Sequence, residues 1–267
     1  MNLDTYRVKP GAKARLTRRQ TDDDGGMDRD TAEAEFRKLT AKLADLQEKL
    51  YAEGKRSVLV VLQAMDAAGK DSTIGKVFGP LNPQGVALFS FKAPNNHELA
   101  RDFLWRIHFR VPPRGYLGLF NRSHYEDVLI VRVKNLVPEA TWKKRYKHIV
   151  NFEELLTDEG TTIVKFFLHV SKDYQKERLQ KRLDNPDKHW KFEPGDLKER
   201  ALWDDYQHAF EDALEKTSTK HAPWYVIPAE KRWYRNWLIA RIMVNTMEAM
   251  DIRLPEPTFD PKTIVIE

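Results

Sequence analysis

The sequence contains no cysteine in 267 residues. That excludes disulfides, thiol nucleophiles and cysteine-ligated zinc together. It also lacks any apolar run near the roughly 20 residues that a membrane-spanning helix requires. Residues 1–26 hold no signal-type apolar stretch, so a cytoplasmic protein that enters no membrane is expected. The eight histidines never cluster at metal-ligand spacing, and no Ser-His-Asp order stands out. No internal repeat or low-complexity linker interrupts the chain. Charge of one sign is not in large excess either: 45 Lys and Arg face 40 Asp and Glu, a net +5. What is present is 41% hydrophobic residues, enough over this length to bury a sizeable core. A pI near 9.1 hints at an anionic partner, and the positions of the bases matter more than their sum.

Residues 1–55 read as an N-terminal arm and an amphipathic helix. Phe36, Leu39, Leu43, Leu46 and Leu50 recur at three- and four-residue steps, and Gly54 suits the helix stop. Residues 56–250 form the core. The run Ser57–Gln63 is continuously apolar and β-branched, the pattern of a strand buried on both faces. Similar runs recur at Val86–Phe91, Tyr116–Phe120, Thr162–Val170 and Trp224–Ile227. Helical stretches are expected at about 70–79, 96–110, 123–134, 138–157, 171–184, 195–216 and 230–250. This alternation predicts an α/β fold with a parallel sheet of five strands between helices. Residues 251–267 form an extended tail.

Between the first buried strand and its helix lies Gln63-Ala-Met-Asp-Ala-Ala-Gly-Lys-Asp-Ser-Thr73. A loop in this context presents successive N–H groups and a helix N-terminus to an anion. Gly69 admits phosphate close to the backbone, and Lys70 can reach the outer phosphates. Two features depart from the usual phosphate loop: Ala64 stands for the first glycine, and Asp71 for the hydroxyl after the lysine. Ser72 or Thr73 is then the candidate hydroxyl. Asp66, an acid in an anion site, makes sense if Mg²⁺ accompanies the phosphates.

A second segment, Phe120-Asn-Arg-Ser-His-Tyr-Glu-Asp127, follows the third strand and should lie beside the loop, because ligands sit outside strand carboxyl ends. Ser123 and Glu126 have capping-box spacing. That leaves Arg122 as a phosphate clamp and Asp127 as a metal carboxylate. His124 reads as structural. After the fourth strand, Lys172, Lys176, Arg178, Lys181, Arg182, Lys188 and Lys191 face only Asp173, Glu177 and Asp184. Arg178, Lys181 and Arg182 share a helix face, with Leu179 and Leu183 turned to the core. The stretch of about 171–195 occupies the place of a mobile lid. After the second strand, Lys92, Pro94, Arg101, Arg106 and Arg110 sit where an acceptor nucleotide fits. The run Lys143, Lys144, Arg145, Lys147 reads as solvated or subunit-facing.

Four ordered motifs resemble the polyphosphate kinase 2 family. They are the loop at 63–71, the segment at 120–127, Lys165-Phe-Phe-Leu-His-Val-Ser171 with its basic continuation to Phe192, and Ala222-Pro-Trp-Tyr-Val-Ile-Pro228 through Trp237. The resemblance implies a P-loop kinase-like three-layer sandwich with a helical lid. It implies phosphoryl transfer between inorganic polyphosphate and adenine, alternatively guanine, nucleotides, with Mg²⁺ or alternatively Mn²⁺. Asn121 and Glu126 look like the third class, which takes both nucleoside monophosphates and diphosphates. By position, Asp66 and Asp127 would hold the metal, while Lys70 and Arg122 would stabilise the transferring group. Ala67, Ala68, Gly69, Lys70, Asp71, Ser72 and Thr73 would bind phosphate, and Arg178, Lys181, Arg182, Lys188 and Lys191 the polyphosphate chain. Lys92, Pro94, Arg106, Asn121 and Glu126 would bind the nucleotide. A homo-oligomer, dimer or tetramer, is expected. Two rivals are an ATP-dependent nucleotide kinase and a P-loop nucleic-acid-binding protein. No nucleic-acid partner is expected, because the bases follow strand ends rather than one recognition helix.

Overall fold

The apolar run after Gly54 forms the centre of the sheet. In the computed structural model, which describes residues 2–266, strand β2 (Ser57–Ala64) is buried at every position. Around it lie β1 (Arg7–Val8), β3 (Val86–Ser90), β4 (Leu117–Asn121), β5 (Thr161–His169) and β6 (Trp224–Pro228). The order is β1-β6-β5-β2-β4-β3, and all pairs are parallel except β1 with β6. The expected five strands are therefore joined by a sixth. The part of residues 1–55 before the helix was expected to be an arm, yet its Arg7 and Val8 pair with Tyr225 and Trp224. The apolar Val8, Ala14 and Leu16 are buried with them, which gives the arm a reason to fold back.

The helices are α1 (Arg29–Glu53), α2 (Lys70–Thr73), α3 (Asn96–Leu99), α4 (Trp105–His108), α5 (Ile130–Val133), α6 (Glu139–Asp158), α7 (Lys172–Leu183), α8 (Gly195–Ala201), α9 (Trp203–Thr217) and α10 (Arg232–Ala249). α1 begins where the Asp28 side chain accepts from the Thr31 N–H at 2.9 Å and ends at left-handed Gly54. Its Leu39, Leu43, Leu46 and Leu50 are buried, and it packs along α10; α6 packs along α9. The sheet lies between these two helix layers.

Three helix expectations change. The stretch 96–110 splits because Asp102 caps a new turn, accepting from the Leu104 and Trp105 N–H groups. The stretch 123–134 splits because Ser123 Oγ accepts from Tyr125 N at 3.2 Å, which closes a 3-10 turn at His124–Asp127 in place of the capping box. Helix 195–216 breaks at Leu202. α2 widens into one π turn at Ile74–Phe78, closed by Gly79 N–H to the Ile74 carbonyl. On α7 Leu179 is buried, and Leu183, expected to turn to the core, is exposed. Beyond Ile252 the tail is exposed and extended apart from a short turn at Pro261–Thr263. No described helix is long and apolar enough to cross a membrane.

Candidate active site

β2 lies between β4 and β5, so the chain leaves it at the switch point of the sheet. The loop that follows has two left-handed residues, Ala67 at φ +64° and Gly69 at φ +103°. Glycine is required at 69, because a Cβ there would lie 2.3 Å from Arg235 Nη1. Ala67 bears the strain of a side chain in that region, about 1 kcal/mol, of the kind stored at functional sites.

The loop carbonyls are tied from below. Lys70 Nζ donates to the Ala64 carbonyl at 3.0 Å, Gln175 Nε2 to that of Asp66 at 3.0 Å, and Arg235 Nη1 to that of Ala68 at 3.4 Å. In a trans peptide the N–H points opposite its carbonyl. The Ala67 and Gly69 N–H groups are therefore turned to the other side, as an anion socket needs. The hydroxyls are less available than expected. Thr73 is fully buried, and its Oγ1 donates to the Gly69 carbonyl at 3.0 Å, the back-bonding open to any hydroxyl in a first turn. Ser72 makes the same bond but stays exposed. Asp71 is also exposed, and its Oδ1 accepts from Asn121 Nδ2 at 2.8 Å. Ala68 is buried and contributes backbone only.

The register sets Leu62 opposite Asn121, and Arg122 N–H donates to the Leu62 carbonyl at 3.0 Å. The second segment therefore abuts the loop. Arg122, itself left-handed at φ +60°, turns its guanidinium back so that Nη2 lies 3.0 Å from Asp66 Oδ1. Asp66, Lys70, Arg122 and Glu126 thereby form one group of charges. Burial pushes the Lys70 ammonium down, against the pull of Asp66. Burial pushes the Glu126 carboxyl up, against Arg122 and Lys70. Burial also opposes charge on Arg122, but Glu126 and Asp66 outweigh it and hold the guanidinium charged. The Gln63 amide joins the group, with its nitrogen 3.0 Å from Glu126 Oε1 and its oxygen 3.2 Å from Ser123 Oγ. Asn121 Oδ1 is buried without a partner among the described residues, a free acceptor at the strand end.

Asp127 lies elsewhere in this arrangement. Its Oδ1 is 3.1 Å from Arg145 Nη1, and its Oδ2 is 4.0 Å from Arg106 Nη2. Burial nonetheless pushes its carboxyl up to about 6, against those two arginines. Arg145 was expected to be solvated or subunit-facing; it is half-buried and turned to Asp127, which corrects that reading. Arg106 is buried rather than open to a ligand, donating to the Lys92 carbonyl at 2.8 Å, while Lys92 is exposed and Pro94 half-buried. Among the described residues no three carboxylate or imidazole groups form a metal cage. Mg²⁺ does not need one, because it takes one or two carboxylates and completes its shell with phosphate oxygens and water. Asp66 fits that donor set: its carboxylate is partly exposed at the loop mouth, and its Oδ2 has no hydrogen-bond partner among the described residues.

Behind the 122–127 segment is a wholly buried polar network that residue patterns did not reveal. Lys165 Nζ, on β5, lies 2.5 Å from Glu153 Oε2 on α6, and it donates to the Tyr125 hydroxyl at 2.9 Å and the Thr217 carbonyl at 2.8 Å. His124 Nε2 is 3.2 Å from Glu153 Oε1, which also accepts from the Tyr125 hydroxyl at 2.8 Å. His124 is structural, as expected. On the lid stretch, Lys181 pairs with Glu177, and Arg182 donates to the Lys191 carbonyl at 2.9 Å and lies 3.3 Å from Asp196 Oδ2. Arg178, Lys188 and Lys191 have no carboxylate partner among the described residues. Gln175 and Arg235 were also missed. A lone Gln and Arg on helices carry no motif; only the tertiary fold brings them under the loop.

The sequence pattern of the family described as Polyphosphate kinase 2 (PPK2) matches residues 26–255. The chain is 57% identical over 98% of its length, and 99% of the relative's, to an AMP/ADP-polyphosphate phosphotransferase of Meiothermus ruber. It is 46% identical over 84% of its length, and 81% of the relative's, to an ADP-polyphosphate phosphotransferase of Rhodopseudomonas palustris. The crystal structure of polyphosphate kinase 2 from Arthrobacter aurescens TC1 superposes with a TM-score of 0.93 at 44% identity, covering 97% of this chain and 93% of that one. Match, fold and loop agree: the chain belongs to the polyphosphate kinase 2 family.

Proposed function

We propose that the protein transfers the terminal phosphoryl group of inorganic polyphosphate to AMP, giving ADP, and to ADP, giving ATP, and catalyses the reverse. The observation that carries this reading is the group Asp66, Lys70, Arg122 and Glu126 at the mouth of a phosphate loop. The P–O bond to the shortened chain breaks as a phosphate oxygen of the nucleotide forms the new one. The transition state is loose, so positioning and cationic stabilisation do most of the catalysis. Lys70, now held on the Ala64 carbonyl, is poised to exchange that neutral acceptor for phosphate oxygens. Arg122 clamps the transferring group, and Asn121 and Glu126 face the acceptor. A magnesium ion, held by Asp66 and, after release from Arg145, by Asp127, would neutralise phosphate charge.

The lid of about residues 171–195 tracks the polyphosphate chain, with Arg178, Lys188 and Lys191 the uncommitted bases. A dimer or tetramer belongs to the same proposal. Apolar Leu88, Leu99 and Phe109 are exposed around the open edge of the sheet, and light scattering tests the assembly. The experiment for the activity is a product profile with polyphosphate, Mg²⁺ and AMP as the sole nucleotide. ADP followed by ATP is expected. No nucleotide product above blank refutes the reading, and turnover only when ATP replaces polyphosphate identifies an ordinary nucleotide kinase.

A further inference from the structure

The buried guanidinium of Arg235 has no carboxylate to answer it. The residue is 1% exposed, sits in the first turn of α10, and lies against the loop closely enough to demand glycine at 69. Its partners are all neutral. Nε and Nη2 donate to Asn236 Oδ1 at 3.1 and 3.0 Å, Nη2 to Ser72 Oγ at 3.0 Å, and Nη1 to the Ala68 carbonyl at 3.4 Å. Among the described residues no acid lies within ion-pair distance of it. Burial pushes its guanidinium down to about 10; the Tyr174 phenol favours the cation, and the like charges of Arg232 and Arg178 oppose it. A buried cation without a counter-charge is costly to keep. An anion seated in the loop, on the far side of the Ala68–Gly69 peptide, would supply the missing charge.

We propose that Arg235 is a positioning residue of the phosphate site, holding the Ala68 carbonyl and the Ser72 hydroxyl from below so that the Gly69 N–H faces bound phosphate, and adding its unanswered charge beneath that phosphate. This rests on the reading of the loop as a polyphosphate and nucleotide site. Two contributions are separable. The fork geometry fixes the loop and should act on kcat; the charge acts through the peptide on a polyanion and should act on polyphosphate affinity.

Steady-state kinetics on wild type, Arg235→Met and Arg235→Lys test it, with polyphosphate and AMP varied in turn. For Arg235→Met we expect kcat to fall about tenfold, the scale of one misplaced charge-facing donor. The KM for polyphosphate should rise several-fold while that for AMP changes less than twofold. Arg235→Lys, which keeps the charge but not the fork, should restore the polyphosphate KM and leave kcat low. In parallel, the rise in melting temperature on adding tripolyphosphate should be smaller for Arg235→Met than for wild type. Should Arg235→Met fail to fold, Arg235→Lys alone decides, by its kcat. Wild-type kcat and KM in both variants, or equal changes in both KM values, overturn the proposal. A wild-type protein inactive with polyphosphate instead overturns the functional reading on which it rests.

Discussion

Lys165→Met tests the buried network behind Arg122–Asp127. The wild-type side chain is wholly buried and its three donors go to Glu153 Oε2, the Tyr125 hydroxyl and the Thr217 carbonyl. Burial pushes the Glu153 carboxyl up, but Lys165 and His124 outweigh it and hold it below the usual range. Methionine fills similar volume and removes the charge, which leaves a carboxylate in the core. Removing one partner of a buried ion pair costs about 3–5 kcal/mol. At about 2–4 °C per kcal/mol for a chain near this size, the melting temperature should fall by roughly 6–20 °C. With Lys165 gone, burial raises the Glu153 pKa above its unfolded value, so the folded variant binds the extra proton. Its stability deficit should therefore widen as pH rises above the ordinary carboxylate range and narrow in acid. The assay is thermal unfolding by circular dichroism of wild type, Lys165→Met, Glu153→Met and the double variant. The double variant should be less destabilised than the sum of the singles by about 2 kcal/mol or more. Because Tyr125 and His124 lie between Arg122 and Glu126, kcat should also fall at temperatures where the variant is folded. A Lys165→Met protein that melts within about 3 °C of wild type, or singles that simply add, would refute the argument.

The other predictions concern the site directly. Lys70→Met should lower kcat by about 10²–10³ with little change in melting temperature, measured by the coupled nucleotide assay. Asp127 titrates near 6 in the fold, raised from 3.8. If its anion is needed, kcat rises with pH through about 6, and Asp127→Asn loses that limb and stays low. The same shift has the opposite sign for stability: the native state binds the extra proton between pH 4 and 6, so Asp127 lowers stability by about 3 kcal/mol as pH rises through that window. Chelation by EDTA should abolish turnover, and Mg²⁺ or Mn²⁺ should restore it, with little change in melting temperature because no three-group cage is found among the described residues. The pair Lys188→Ala, Lys191→Ala, which removes two bases without a carboxylate partner among the described residues, should slow long polyphosphate more than tripolyphosphate; equal effects at all chain lengths count against the lid track.

Periodicity made β2 and β5 legible because both are continuous apolar runs, and it revealed α1 through its leucine spacing, with Gly54 marking the stop. It could not reveal β1, a two-residue strand whose reason to exist is the edge of β6, where Arg7 meets Tyr225 from the far end of the sequence. The loop and the 120–127 segment were legible as motifs, and their adjacency followed from strand order. Arg145 was not, because its basic neighbours disguise a residue whose partner, Asp127, lies on another element. Arg106 had the right address but the wrong exposure, since only packing on Phe91 and the Lys92 carbonyl turns it inward. Helix boundaries at 102 and 123 failed for local reasons: short polar side chains competed for N–H groups that a continuous helix would have used.

The arm that adds β1 has a consequence for how the protein is made. Tyr6 meets Tyr234 at 2.6 Å between hydroxyls, His169 bonds the Leu16 carbonyl, and Lys231 pairs with Asp24 at 2.5 Å. Residues of the arm thus wait for partners made 153 to 228 residues later. The phosphate loop is synthesised early, but Gln175 and Arg235, which hold its carbonyls, arrive late. Pairings of such long sequence separation are slow to form. A nascent chain ending before α10 carries the whole loop motif and lacks one of its supports. Competence to bind a polyanion is therefore acquired only once α10 has been made, and polyphosphate in the cell would stabilise the finished fold selectively over its precursors.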